Sequence, residues 1–98
     1  MITPTPGRIV WYWPADTDPT PKFRGEALAA IVARVISDRQ VNLTVFRADG
    51  LTYGRHGVQL LQDGDKRPEG GFCEWMPFQK GQAAKTEALE ALEATARR

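Results

Sequence analysis

The chain has 98 residues, 13 of them basic and 12 acidic, for a formal net charge of +1. That length suits one domain, and that balance excludes a broad electrostatic pull towards nucleic acid or an anionic membrane. One cysteine, Cys73, excludes an internal disulfide and a multi-cysteine metal site, and predicts synthesis in a reducing cytoplasm.

Met1–Gly7 has no basic region followed by an apolar one, so it does not read as a secretory signal. No apolar run approaches the roughly 20 residues that a membrane helix needs. Pro4 and Pro6 keep the opening extended. Arg8–Trp13 then reads as a strand. Ile9, Trp11 and Trp13 share one face, and Arg8, Val10 and Tyr12 share the other. Pro14 ends it. Ala15–Gly25 is polar, carries Pro19 and Pro21, and reads as a long loop. A loop of this length in a small domain is often a functional one.

Two β-branched runs follow, Ala30–Ile36 and Val41–Phe46, separated by the polar Ser37-Asp38-Arg39-Gln40. This predicts an antiparallel hairpin. In the second run Val41, Leu43 and Val45 alternate with Asn42 and Thr44, which places the three aliphatic residues in the core. Asp49-Gly50 predicts the next turn, because glycine takes positive φ without steric cost. Leu51–Tyr53 opens a third strand. Gly54 and Gly57 predict a bulge or a further turn before alternation resumes at Val58 and Leu60. Gln62–Gly71 has the composition of a surface loop. Phe72–Met76 reads as a last strand stopped by Pro77, and its Glu74 among apolar neighbours suggests an edge. Ala83–Ala96 consists almost wholly of strong helix formers, with Leu89, Leu92 and Ala96 in a narrow apolar stripe. The expected fold is mainly β: a small barrel of five to six antiparallel strands over residues 1–80, then a C-terminal helix over 81–98.

The strand pattern resembles SH3-like barrels of the Tudor and KOW kind. The residues that carry this are Ala30-Ile31-Val32-Ala33-Arg34-Val35, Val41–Phe46 and the Asp49-Gly50 turn. It also resembles a group of short proteins from tailed bacteriophages and prophages. The matching segments are Gly7-Arg8-Ile9-Val10-Trp11-Tyr12, Ala29–Val35, Val41–Phe46, and Gly71-Phe72-Cys73-Glu74-Trp75-Met76-Pro77. The likeness departs at the C-terminus, where this chain adds a helix. It implies phage origin and an SH3-like barrel, and it brings no functional residues with it.

Catalytic patterns are weak. His56 is the only histidine and Ser37 the only serine. Ser37 falls in a hairpin turn, with nothing to bring it to a base. Cys73 beside His56 would make a nucleophile pair, but a cysteine in a strand reads first as an inert core thiol. Asp63-x-Asp65 has only the beginning of a calcium loop, and Gly70-Gly71 lacks the helix and lysine of a phosphate loop. No enzyme activity, cofactor or metal is expected.

The aromatic residues Trp11, Tyr12, Trp13, Phe46, Tyr53, Phe72, Trp75 and Phe78 read first as core, then as a protein-contact surface, and last as a cation cage or base-stacking platform. The expected function is a non-enzymatic virion protein, made in the bacterial host cytoplasm. It would decorate or cement the capsid or the head–tail region through protein–protein contacts. Its partner would be a phage structural protein or a second copy of the chain, with no membrane involved. The alternative is an intracellular phage module that binds nucleic acid or a host protein. The expected partner-binding residues are Lys22, Phe23 and Arg24 in the long loop, an aromatic between two cations, and Leu89 and Leu92 on the helix.

Overall fold

Alternation along Val41–Phe46 sets the frame of the structure, a computed structural model that describes residues 1–18, 26–82, 85, 89 and 92. The strands are β1 (Ile9–Trp13), β2 (Leu28–Ser37), β3 (Gln40–Phe46), β4 (Thr52–Leu61) and β5 (Phe72–Trp75). They form a closed barrel in the order β1-β2-β3-β4-β5, an SH3-like arrangement. As the period-two pattern predicts, Val41, Leu43 and Val45 are buried while Asn42 and Thr44 are half-exposed. They join Val10, Tyr12, Leu28, Ala30, Val32, Val58, Leu60, Cys73 and Trp75 in one core.

The β2–β3 hairpin turns through Asp38 and Arg39, with Ser37 paired to Gln40. Neither turn residue has positive φ. The mirror-image turns that match strand twist in a two-residue hairpin are therefore excluded. A register shift between Val35 and Ser37 takes up the mismatch. The Asp49-Gly50 turn forms as expected: Gly50 has φ 88° and donates to Arg47 O at 2.9 Å. Asp49 Oδ1 accepts from Leu51 N at 3.2 Å.

The expected break near Gly54–Gly57 is a bulge inside one ten-residue strand. Val41 pairs with Val58 but Leu43 pairs with Arg55, so β4 carries an extra residue there. Asn42 Oδ1 accepts from Gly57 N at 2.8 Å and holds the bulge.

Two expectations need correction. First, β5 is not an edge strand. It pairs antiparallel with β1 and parallel with β4, and this parallel ladder closes the barrel. Glu74 does face outward, but that says nothing about ladder pairing, which non-local closure decides. Second, the helix begins at residue 77 rather than Ala83. Pro77 starts the helix instead of only ending the strand, because the first helical position needs no N–H. Gln79 completes the start: its Oε1 accepts from Met76 N at 2.8 Å, the reach-back half of a capping box. Its Nε2 donates to Ile9 O and ties the helix start to β1.

One barrel end is closed by Gln62, a buried polar side chain. Its Nε2 donates to Ile2 O at 2.9 Å and Asp38 O at 2.8 Å. Its Oε1 accepts from Ile2 N at 3.1 Å and Trp75 Nε1 at 3.3 Å. Every hydrogen-bonding position of the amide is used, as a buried polar group requires. Near the opposite end of β1, Gly70 passes so close to Pro14 and Ala15 that an added Cβ would lie 2.9 Å from their backbone atoms. Gly70-Gly71 thus has a packing role.

Candidate functional site

The strand β1 is apolar on both faces. Val10 and Tyr12 point into the barrel, which sends Ile9, Trp11 and Trp13 outward. On the outer face Trp11 lies between Ala29 of β2 and Glu74 of β5, Trp13 is paired with Phe72, and Ile9 is paired with Ile31. Ile9 stays 46% exposed and Phe46, on the neighbouring β3, 36%. Trp11, Trp13 and Ile31 are half-exposed. These residues make an apolar outer face across β1–β3 that no described part of the chain covers completely.

A depression of about 360 Å³ opens in this face, lined by Trp11, Trp13, Glu26 and Ala27. The small side chain of Ala27 leaves space beside the two indoles. Glu26 is exposed, and it forms no ion pair among the described residues.

Two neighbouring sets of side chains share a pattern of aromatic ring, carboxylate and arginine. In the first, the Arg67 guanidinium lies 4.9 Å from the Trp13 ring centre and 5.0 Å from that of Phe72. Glu74 holds it at 2.7 Å and also accepts from Trp13 Nε1 at 2.9 Å. Trp13 and Phe72 stack with centroids 6.4 Å apart. In the second set, Arg55 lies 4.2 Å over Tyr53. It donates to both oxygens of Asp18, through Nη2 at 2.8 Å and Nε at 3.1 Å. Asp18 also accepts from Tyr12 Oη at 3.1 Å. Burial first, then the Asp18 charge, pushes the Tyr12 phenol up to about 12. The hydrogen bond to Asp18 raises Arg55 further above its ordinary value. This second set fastens the start of the β1–β2 connection to β4.

The other sequence candidates are dispersed. Cys73 is sealed in the core, and burial pushes its thiol up to about 12. His56 and Ser37 are exposed, on β4 and at the end of β2. Asp65 accepts from Gln62 N at 2.9 Å and pairs with Arg39 at 3.0 Å, and these two contacts lower its carboxyl below the ordinary range. Among the described residues no group of three or more histidine, cysteine or acidic side chains could hold a metal. No helix among them is long and apolar enough to cross a membrane. Lys22, Phe23 and Arg24 lie outside the described residues. Leu89 and Leu92 are helical and exposed, at 59% and 67%.

The sequence reading put Ile9, Trp11 and Trp13 on one face but did not single that face out as a site. The available signal was the small residue Ala27, just before β2. Together with the bulky indoles on β1 it makes a hollow only once β1 and β2 are paired.

The fold and this surface define a small SH3-like β-barrel with an aromatic outer face. No protein-family model, curated protein or solved structure matches the chain.

Proposed function

We propose that the chain is a non-enzymatic contact module of a tailed-phage particle. Its barrel docks on a neighbouring protein subunit of the capsid or head–tail region. The observation that carries this reading is the apolar outer face formed by Ile9, Trp11, Trp13, Ile31 and Phe46. Contiguous exposed apolar surface that is flanked by charge is the usual mark of a protein-binding site. The resemblance of segments 7–12, 29–35, 41–46 and 71–77 to phage proteins supplies the particle. The exposed Leu89 and Leu92 offer a second contact of the same kind.

A protein partner fits this surface better than nucleic acid. Glu26 lines the hollow and would disfavour phosphate, and Arg67 beside Trp13 is already paired with Glu74. The dispersal of Cys73, His56 and Ser37 supports a binding role over a catalytic one. The test is mass spectrometry of particles purified from cells in which the encoding phage or prophage is replicating. The chain should be present at a fixed ratio to the major structural proteins. Its absence from particles would remove this reading, and binding to DNA or RNA at low salt would put the nucleic-acid alternative in its place.

A further inference from the structure

We propose that the C-terminal helix is a self-association element. Its exposed stripe of Phe78, Gln82, Lys85, Leu89 and Leu92 pairs antiparallel with the same stripe of a second copy of the chain. This deepens the reading of Leu89 and Leu92 as a contact and names what covers them.

The described helical residues are 77–82, 85, 89 and 92, and of these only Gln79 is half-buried while the rest are exposed. The described side-chain ties to the barrel both lie in the first turn, Gln79 Nε2 on Ile9 O and Lys80 on Asp63 at 3.5 Å. The molecule is 56 Å long against 23 and 22 Å across, which fits a helix that runs out from the barrel rather than back over it. Gln82, Lys85, Leu89 and Leu92 follow Phe78 in steps of 4, 3, 4 and 3 residues. At 3.6 residues per turn those steps stay within about 40° of the Phe78 direction. Alternating steps of four and three are the spacing of a seam between two helices. Phe78 is 73% exposed, and Leu89 and Leu92 are bare as well. A helix of this length is marginal in water without packing, so the stripe needs a cover that the barrel does not supply.

A second copy suits the stripe because it brings the same spacing. Helices that select a different partner do so through charge, and Lys85 is the stripe's one charged residue. Lys85 also sets the direction. Parallel helices would place it against the other copy's Lys85. Antiparallel helices place it beside the other copy's Leu89, where its stem covers the leucine and its ammonium reaches water. The seam from Phe78 to Leu92 is about 21 Å long. That is less than a standard interface, so the pair should dissociate at roughly 10–100 μM.

Analytical ultracentrifugation of the full chain from about 1 to about 500 μM tests this. The parent should show a monomer–dimer equilibrium. Leu89→Ser combined with Leu92→Ser should weaken it by roughly tenfold or more, and Lys85→Leu should tighten it by a similar factor. All three positions are exposed on the helix, so the barrel stays folded, and the near-ultraviolet circular dichroism of buried Trp75 confirms that. An equal mixture of the parent and Lys85→Glu should associate no more tightly than the parent alone. Tighter association of the mixture would set residue 85 face to face and overturn the antiparallel pair. A monomer at every concentration overturns the proposal, and so does a dimer that the double serine variant leaves intact. Particle association is a separate readout. A chain that pairs in solution but never joins particles keeps this inference and loses the virion role. A chain that joins particles but stays monomeric in solution does the reverse.

Discussion

Two faces of one short strand behave in opposite ways. On β1, Val10 and Tyr12 are buried, whereas Ile9 is largely exposed and Trp11 and Trp13 partly so. Side chains of similar hydrophobicity stand a residue apart in sequence. The inner set is explained by folding, since it joins the single core of the barrel. The outer set is covered only in part by the described residues: Trp13 stacks on Phe72 under Arg67, while Ile9 and Phe46 stay largely open. Folding accounts for the inner face, and on the function proposed above a partner covers the open part of the outer one. The two faces should therefore respond differently to substitution.

The largest effect belongs to the inner face. Leu43 is 2% exposed and packs in the core beside Val41 and Val45. Leu43→Ala removes buried methyl groups and leaves a cavity, at a cost of about 2–4 kcal/mol in chemical denaturation. A cost under about 0.5 kcal/mol would place Leu43 outside the core and undo the register of β3.

The inner face was largely legible in the sequence where only one side of a strand is apolar. Val41–Phe46 alternates with Asn42 and Thr44, and the pleat then leaves one solution. β1 gave no such choice, because both of its faces are apolar and periodicity alone cannot say which points in. β5 looked like an edge because Glu74 faces solvent. Its two ladders arise from contacts with Trp11 and with Leu61, residues far off in sequence. The helix start was hidden by Pro77, whose role as a strand stop and as a first helical residue cannot be separated locally. The candidate site was less legible than the fold. Trp13 and Glu26 are separated by the loop that the sequence singled out, and only the β1–β2 pairing brings them together. Within that loop the sequence marks Phe23 instead, by its charged flanks Lys22 and Arg24. Those flanks and the Leu89/Leu92 stripe were composition signals, whereas the outer hollow is a product of tertiary pairing.

A second, smaller effect separates the faces by pH. The inner face holds two weak acids whose neutral forms the fold favours. Burial raises Cys73 from its ordinary value of 9.0 to about 12, and burial together with Asp18 raises Tyr12 from 10.0 to about 12. As pH climbs through 9.0 and then 10.0, the unfolded chain loses these protons while the folded chain keeps them. The native state then binds more protons than the unfolded state, so stability falls with rising pH until about pH 12. Denaturation midpoints taken from about pH 8 to about pH 11 should show this decline. Cys73→Ala should remove the part that begins lower, and Tyr12→Phe the part that begins higher. The readout is the slope, because each variant also shifts the overall level. A slope unchanged in the double variant would mean that other groups govern alkaline unfolding.

The smallest expected effect is the most informative about the outer face. Ile9→Thr and Phe46→Thr keep strand-compatible side chains while removing apolar surface that is 46% and 36% exposed. Neither residue belongs to the core cluster, and neither change leaves a buried polar group unpaired. Each variant should unfold within about 0.5 kcal/mol of the parent, the range of ordinary surface substitutions. The same variants should lose association with particles, because the removed surface lies in the face proposed to dock. A loss of about 2 kcal/mol or more would show that the outer face serves the chain's own fold, through packing like that of Leu43, and the contrast between the faces would disappear. Unchanged stability with unchanged association would instead leave the outer face dispensable and move the contact elsewhere, with the exposed Leu89 and Leu92 next in line. Only preserved folding with lost association is the signature of a surface held ready for another molecule, and that pairing of a near-zero effect with a large one is what the geometry of β1 predicts.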